Sequence, residues 1–290
     1  MSGVSVDLSG QCAVVTGGTR GIGLAIATQL GRAGARCYLT HRWGSADPVD
    51  IEAAFRAVGA PEPRIVEADV SRDEDTEALL DLIETEHEAV DILIANAGLA
   101  QRVTGLADYK KSSFFRSLEY SAWPLIEYTR RIQLRFGHCP RRVIGISSSG
   151  PDHFFRGYDY VAASKALLEL FARYLSAHAF SDGTRINVVR FGTIDTESFD
   201  AFFGRAFFDF MRESGIPDEV MLSLEDAGGA VLALCSPLMD GVNGQVLTVD
   251  NGLGLRGNLL MHYLDRSRER DPDAVPPTGT PPQTHNESTS

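Results

Sequence analysis

Seven short apolar runs recur along the first 250 residues, and segments of helical length separate most of them. The runs are CAVVT (12–16), RCYLT (36–40), RIVEA (64–68), DILIAN (91–96), RVIGIS (142–147), INVVR (186–190) and QVLTV (245–249). Segments 21–33, 73–87, 113–136 and 158–179 repeat their apolar residues at helical spacing. Near-continuous apolar strands alternating with amphipathic helices predict an α/β fold. The expected form is one doubly wound parallel sheet of about seven strands, covered by helices on both faces. This domain is expected to span residues 1–264. From residue 265 the chain turns to Pro, Ser, Thr and charge without periodicity, which predicts a disordered tail over 265–290.

Composition narrows the function. The 290 residues carry a net charge of −12, so a nucleic-acid surface, which needs clustered Lys and Arg, is not expected. No apolar run reaches the roughly 20 residues of a membrane span, and the N-terminal residues lack the pattern of a signal peptide. Cys12, Cys37, Cys139 and Cys235 are scattered without a CxxC pair. Neither a disulfide framework nor a metal site is expected, and a reduced cytoplasmic setting fits best. The seven histidines show no paired ligand spacing, and no nucleophile elbow is present.

Candidate chemistry begins directly after the first strand. VVTGGTRGIG places Gly17, Gly21 and Gly23 between that strand and the first helix. Glycines there permit a tight turn and close backbone approach to a diphosphate, and the helix N-terminus supplies unpaired N–H groups. With ADV at 68–70 and ANAG at 95–98, this TG-x3-G-x-G pattern resembles the short-chain dehydrogenase/reductase superfamily over roughly residues 8–254. The resemblance implies a Rossmann-type fold. It also implies that Thr19 and Ile22 belong to the phosphate loop, that Asp69 and Val70 flank the adenine, and that Asn96, Ala97 and Gly98 run along the cofactor. By the same likeness Gly192, Ile194 and Thr196 meet the nicotinamide side. VLTVDNG (246–252) resembles the superfamily's closing strand, with Asn251 in place of a glycine.

The end of the second strand selects the cofactor. An acidic residue there would accept the ribose 2′-OH of NADH, but this chain has His41 and Arg42, and Arg20 lies within the glycine loop. Arginine can hold a 2′-phosphate through two charge-assisted bonds, so NADPH is the expected cofactor.

GYDYVAASK (157–165) sets the remaining problem. The superfamily's usual Tyr-x3-Lys would put its acid at position 161, where this chain has Val161. At about 100° per residue, Tyr160 stands roughly 140° round the helix from Lys165, whereas Tyr158 falls within about 20° of it. Tyr158 can therefore share a cleft with Lys165. Tyr-x6-Lys, with ISSSG (146–150) before it and GTIDTESF (192–199) after it, resembles the NADPH-dependent enoyl-acyl-carrier-protein reductase branch. That resemblance implies Tyr158 as proton donor, Lys165 as the residue that holds the ribose and lowers the donor's pKa, and Ser148 beside the tyrosine. Glu119 stands about where many members carry an active-site Asn, and Phe191-Gly192 replaces the usual Pro-Gly.

After Thr196, ESFDAFFGRAFFDFM resembles the substrate lid; Phe199, Phe202 and Phe203 are the candidate contacts for a hydrophobic acyl group. Packing onto the core or onto a second subunit would explain the same aromatics. Arg205 and Arg212 offer a modest basic rim for a carrier protein. A homodimer or homotetramer assembled through helices 113–136 and 158–179 is expected. The leading reading is reduction of an enoyl thioester. A carbonyl or imine reductase, and an idle dinucleotide-binding scaffold, stand as alternatives.

Overall fold

The computed structural model describes residues 5–270. In chain order the main elements are β1 (Cys12–Val15), α1 (Gly21–Arg32), β2 (Arg36–His41), α2 (Pro48–Ala57), β3 (Arg64–Glu67), α3 (Asp73–Glu84) and β4 (Ile92–Ala95). They continue with α4 (Lys111–Ser121), α5 (Trp123–Phe136), β5 (Arg142–Ser148), α6 (Asp159–His178), β6 (Arg185–Phe191), α7 (Glu197–Phe203), α8 (Ala206–Glu213), α9 (Leu224–Cys235), β7 (Val246–Val249) and α10 (Leu259–Arg270). The seven strands pair in parallel in the order β3-β2-β1-β4-β5-β6-β7. All seven expected strands are present, in one doubly wound sheet.

Alternation within each strand divides the core. Ala13 and Val15 of β1 face a cluster with Ile26 and Leu30 of α1, Ile51 and Phe55 of α2, and Val231 of α9. Cys12 and Val14 face the opposite cluster, with Leu79, Leu80 and Ile83 of α3, Tyr128 and Ile132 of α5, and Leu168 of α6. Residues buried on both faces explain why the strands read as unbroken apolar runs. Local signals fix helix ends. Asp47 caps α2 ahead of Pro48, and Ser223 with Asp226 forms a capping box on α9.

Two expectations need correction. The segment expected as one helix over 113–136 is two helices that break at Ala122 (φ −120°, ψ −46°). Pro124 has no N–H to offer the Tyr120 carbonyl four residues back, and its ring crowds that carbonyl, so the helix restarts. The tail expected from residue 265 also begins too early, because α10 runs through Arg270. Leu259, Leu260, Tyr263 and Leu264 form an apolar stripe that packs on the aromatic cluster of α7 and α8. The run is only six residues long, LLMHYL, and the charged stretch DRSRER that follows it masks the helix in the sequence. Residues 271–290, the rest of the expected tail, lie outside the described residues.

Strand order reverses between β1 and β4, since β2 and β3 lie on one side and β5 to β7 on the other. In an open α/β sheet the crevice beyond the carboxyl ends of such a pair is where ligands bind. Among the described residues no helix is long and apolar enough to cross a membrane.

Candidate active site

The crevice is locked by side chains from both strands. Thr16 Oγ1 donates to the Ile94 carbonyl (3.3 Å) and accepts from the N–H groups of Asn96 and Ala97, each at 3.0 Å. Asn96 Nδ2 reaches back to the carbonyls of Thr16 (2.9 Å) and Gly17 (3.0 Å). Gly17 (φ +61°) and Gly21 (φ +52°) turn the loop in a conformation that favours glycine. A Cβ on Gly23 would lie 2.2 Å from the Gly17 carbonyl oxygen, so only glycine lets α1 come this close.

This loop has the makings of a diphosphate cradle. Among the described residues no side-chain cap closes the N-terminus of α1 and no acid lies in its first turn, so its N–H groups can take an anion. The cleft above it has a volume of about 680 Å³. Gly17, Thr19, Arg20, Gly21, Ile22, Gly23, His41, Arg42, Val70, Asn96, Ala97, Gly98, Ser148, Tyr158, Lys165 and Thr196 all line it.

Three expected positions lie elsewhere. Asp69 is buried behind the cleft wall, and its carboxylate accepts from the Ser71 N–H (3.0 Å), Ser71 Oγ (2.7 Å) and Tyr120 hydroxyl (2.9 Å). Burial alone would raise its pKa, but these bonds and Arg42 hold it below the usual carboxylate range. Ile194 belongs to the hydrophobic core, and Gly192 lines the neighbouring cavity. Sequence reading missed Trp43 and Tyr120, whose rings lie 4.6 Å apart on the cleft. Trp43 directly follows the His41-Arg42 pair, which was the available signal.

At the other end of the cleft, Tyr158 serves as N-cap of α6 and is not a residue of its first turn. Its carbonyl accepts from the Ala162 N–H at 2.8 Å, so it still opens the helical register. The Tyr158 hydroxyl donates to Ser148 Oγ at 3.2 Å. Lys165 is buried on the same cleft, and its Nζ donates to the Ile146 carbonyl at 2.7 Å. Tyr160 is excluded from this group, because its hydroxyl accepts from the Lys110 N–H (2.6 Å) and faces the Lys110 carbonyl (3.2 Å). Val161 is buried.

The electrostatics differ from the expected pattern. Burial pushes the Tyr158 hydroxyl above its ordinary pKa, opposed by its bond to Ser148. Burial lowers Lys165 to about 8, opposed by the Glu169 carboxylate. Glu169 is itself held by both nitrogens of a fork from Arg190 (2.7 and 2.6 Å) and by Ser147 (2.6 Å).

Most lid aromatics pack on one another. Phe202, Phe203, Phe207, Phe208 and Met211 form a small core with Leu253 and Leu260. Phe199 and Phe203, together with Phe207, do line a cavity of about 160 Å³ beside Ser148 and Tyr158. Phe202 instead packs edge-on against Tyr158, with centroids 5.2 Å apart. Arg205 pairs with Asp195 (2.8 Å), and Arg212 with Asp209 (2.6 Å) and Asp218 (3.0 Å), so the expected basic rim is neutralised from within. Among the described residues no cluster of three or more His, Cys, Asp or Glu could hold a metal.

Fold and cleft together define a short-chain dehydrogenase/reductase, an oxidoreductase built on a nicotinamide dinucleotide site. More narrowly, the sequence profile of the enoyl-(acyl carrier protein) reductase family matches residues 17–254, and the chain belongs to that family. It is 27% identical over 260 residues to the enoyl-acyl-carrier-protein reductase FabI (NADH) of Aquifex aeolicus, covering 86% of this chain and 93% of that protein. The 3-oxoacyl-acyl-carrier-protein reductase MabA of Mycobacterium avium is 31% identical over 259 residues, covering 83% and 89% respectively. The fold matches that of L-sorbose reductase from Gluconobacter frateurii, solved with NADPH and L-sorbose, with a TM-score of 0.75 and 21% identity. That match covers 86% of this chain and 98% of the other.

Lys165 supplies a pH test. The native chain releases this proton near about 8, whereas an unfolded lysine keeps it to about 10.4. Between those values the unfolded state binds more protons, so this group makes stability rise with pH. The urea midpoint of the wild type, compared with that of Lys165→Met, is expected to gain ground steadily from about pH 8 to about pH 10. A constant difference across that window contradicts the buried-lysine assignment.

Proposed function

We propose that the protein reduces the carbon–carbon double bond of an enoyl thioester, using NADPH. The position of Tyr158 carries this reading. It shares the cleft with Lys165 at a seven-residue spacing, while the position used for carbonyl chemistry holds buried Val161.

In this reading Gly17, Thr19, Gly21, Ile22 and Gly23 hold the diphosphate, and Asn96, Ala97 and Gly98 run along the cofactor. Lys165 holds the nicotinamide ribose and Thr196 meets the carboxamide side. When bound, the nicotinamide supplies hydride to the β-carbon of the substrate. Negative charge then develops on the thioester oxygen, remote from that carbon, and a donor must stand where the charge appears. Tyr158 suits this role because its raised pKa keeps the hydroxyl protonated at neutral pH, and Ser148 orients it. Phe199 and Phe203 supply apolar wall for the acyl group.

NADPH is favoured because β2 ends on His41 with Arg42 directly after it, and neither position carries a carboxylate. Arg42 is steadied by Glu67 (2.9 Å) and Asp69 (3.3 Å), and Arg20 lines the same cleft. Phe115, Trp123, Leu170 and Phe171 are exposed on α4, α5 and α6, which supports self-association through those helices. The specific case for the carbonyl alternative is the Mycobacterium avium relative, named for 3-oxoacyl reduction.

Tyr158→Phe is expected to lower kcat for an enoyl thioester by about 10²–10⁴-fold, with cofactor affinity little changed. Full turnover by that variant, followed by NADPH absorbance, contradicts the assignment. Arg42→Ala is expected to narrow the preference for NADPH over NADH, compared as kcat/KM, by about tenfold or more. An unchanged preference removes Arg42 from cofactor selection.

A further inference from the structure

One charged group beside Tyr158 has no use in this chemistry. Arg102 lies in the segment joining β4 to α4, four residues after Gly98 of the cleft wall. Its guanidinium carbon sits 4.3 Å from the centre of the Phe202 ring, and that centre is 5.2 Å from the Tyr158 ring. The next residue, Val103, is buried, and its N–H donates to the Gly157 carbonyl at 3.3 Å, which ties the segment to the turn before Tyr158. Arg102 therefore couples the β4–α4 segment to Phe202 of α7, the ring that packs edge-on against Tyr158.

The guanidinium is half-buried, and among the described residues its enclosed Nη2 has no hydrogen-bond partner. The adjacent Gln101 amide oxygen is enclosed and unpaired as well. Burial lowers the Arg102 pKa, and no carboxylate among the described residues opposes it. Most arginines on this acidic chain are otherwise committed. Arg190 of β6, Arg205 between α7 and α8, and Arg212 of α8 each hold one or two carboxylates. Enclosing a charge without a counter-charge is costly, and the ring face of Phe202 compensates only in part. A guanidinium left in this state lacks an anionic partner, and its flat fork of donors suits a carboxylate or phosphate that reaches it.

We propose that Arg102 is a specificity-determining residue that receives an anionic group of the substrate, a carboxylate or a phosphate, when the substrate occupies the Tyr158 site. This rests on the enoyl-thioester reading of the cleft. Two sources share that chemistry: a carboxylate on the acyl portion, and the phosphates of a coenzyme A arm.

Calorimetric binding to the cofactor-loaded protein tests the assignment without requiring turnover. The probes are three saturated thioesters: the neutral N-acetylcysteamine ester of butyrate, its counterpart with a terminal carboxylate on the acyl chain, and butyryl-coenzyme A. Arg102→Met, which keeps an apolar stem on Phe202, is expected to weaken an anionic probe by about tenfold or more relative to the neutral one. Arg102→Lys is expected to recover part of that loss. A selective loss for the carboxylate probe identifies the acyl source, and one for the coenzyme A probe identifies the arm. Equal weakening of all three, or no weakening of any, overturns the proposal. The Tm of Arg102→Met checks folding, and a ligand-seeking charge predicts that it does not fall. Separate turnover assays with the unsaturated counterparts on the wild type decide the enoyl reading, so the two ideas fail independently.

Discussion

A methyl group added to Gly23 would stand 2.2 Å from the Gly17 carbonyl oxygen. That clearance sets how closely α1 seats on the turn leaving β1, and much of the site follows from it. The same Gly17 carbonyl receives Asn96 from the end of β4, so one oxygen joins the phosphate loop, the first helix and the strand across the switch point. Thr16 closes the arrangement from the other side. With these contacts the open N-terminus of α1 faces a cleft whose far end holds Ser148, Tyr158 and Lys165. Parallel strands with their carboxyl ends aligned bring together residues more than 140 positions apart.

Within that frame the proton chemistry is set by burial more than by charge pairing. Lys165 is lowered because it is enclosed, and Tyr158 is raised for the same reason. The two shifts oppose the picture in which an ammonium drags a tyrosine towards ionisation. They suit a tyrosine that donates a hydrogen bond and keeps its proton while charge grows on a distant oxygen. The pair formed by Glu169 and Arg190 lies just behind, and it holds a carboxylate near Lys165 without offering it as a direct partner. The aromatic rings of Phe155, Phe202 and Phe203 around Tyr158 sustain its desolvation.

The sheet was readable from the chain because its inner strands are buried on both faces, which leaves near-continuous apolar runs, and the half-exposed edge strands β3 and β7 still carry short ones. The glycine loop and the Tyr158–Lys165 spacing were readable because helix geometry and close backbone approach restrict residue type directly. Other features depend on contacts that no local pattern encodes. Asp69 sits beside a matching motif, yet its carboxylate is spent on Ser71, Tyr120 and Arg42. The lid phenylalanines look like substrate contacts in sequence, but most of them fill a core of their own with α10. Helix α10 was hidden because its apolar stripe is short and its second half is almost entirely charged. Arg205 and Arg212 lost their expected role to carboxylates three to ten residues away.

The central claim concerns where the reducing equivalent goes relative to the donor. It can be read by mass spectrometry and NMR of the products after incubation with NADPH carrying deuterium at its transferable position. A mixture of an enoyl thioester and a 3-oxoacyl thioester should yield the saturated thioester with deuterium on its β-carbon and leave the oxo compound unchanged. Deuterium on the carbinol carbon of a hydroxyacyl product, with the enoyl thioester untouched, would contradict the account.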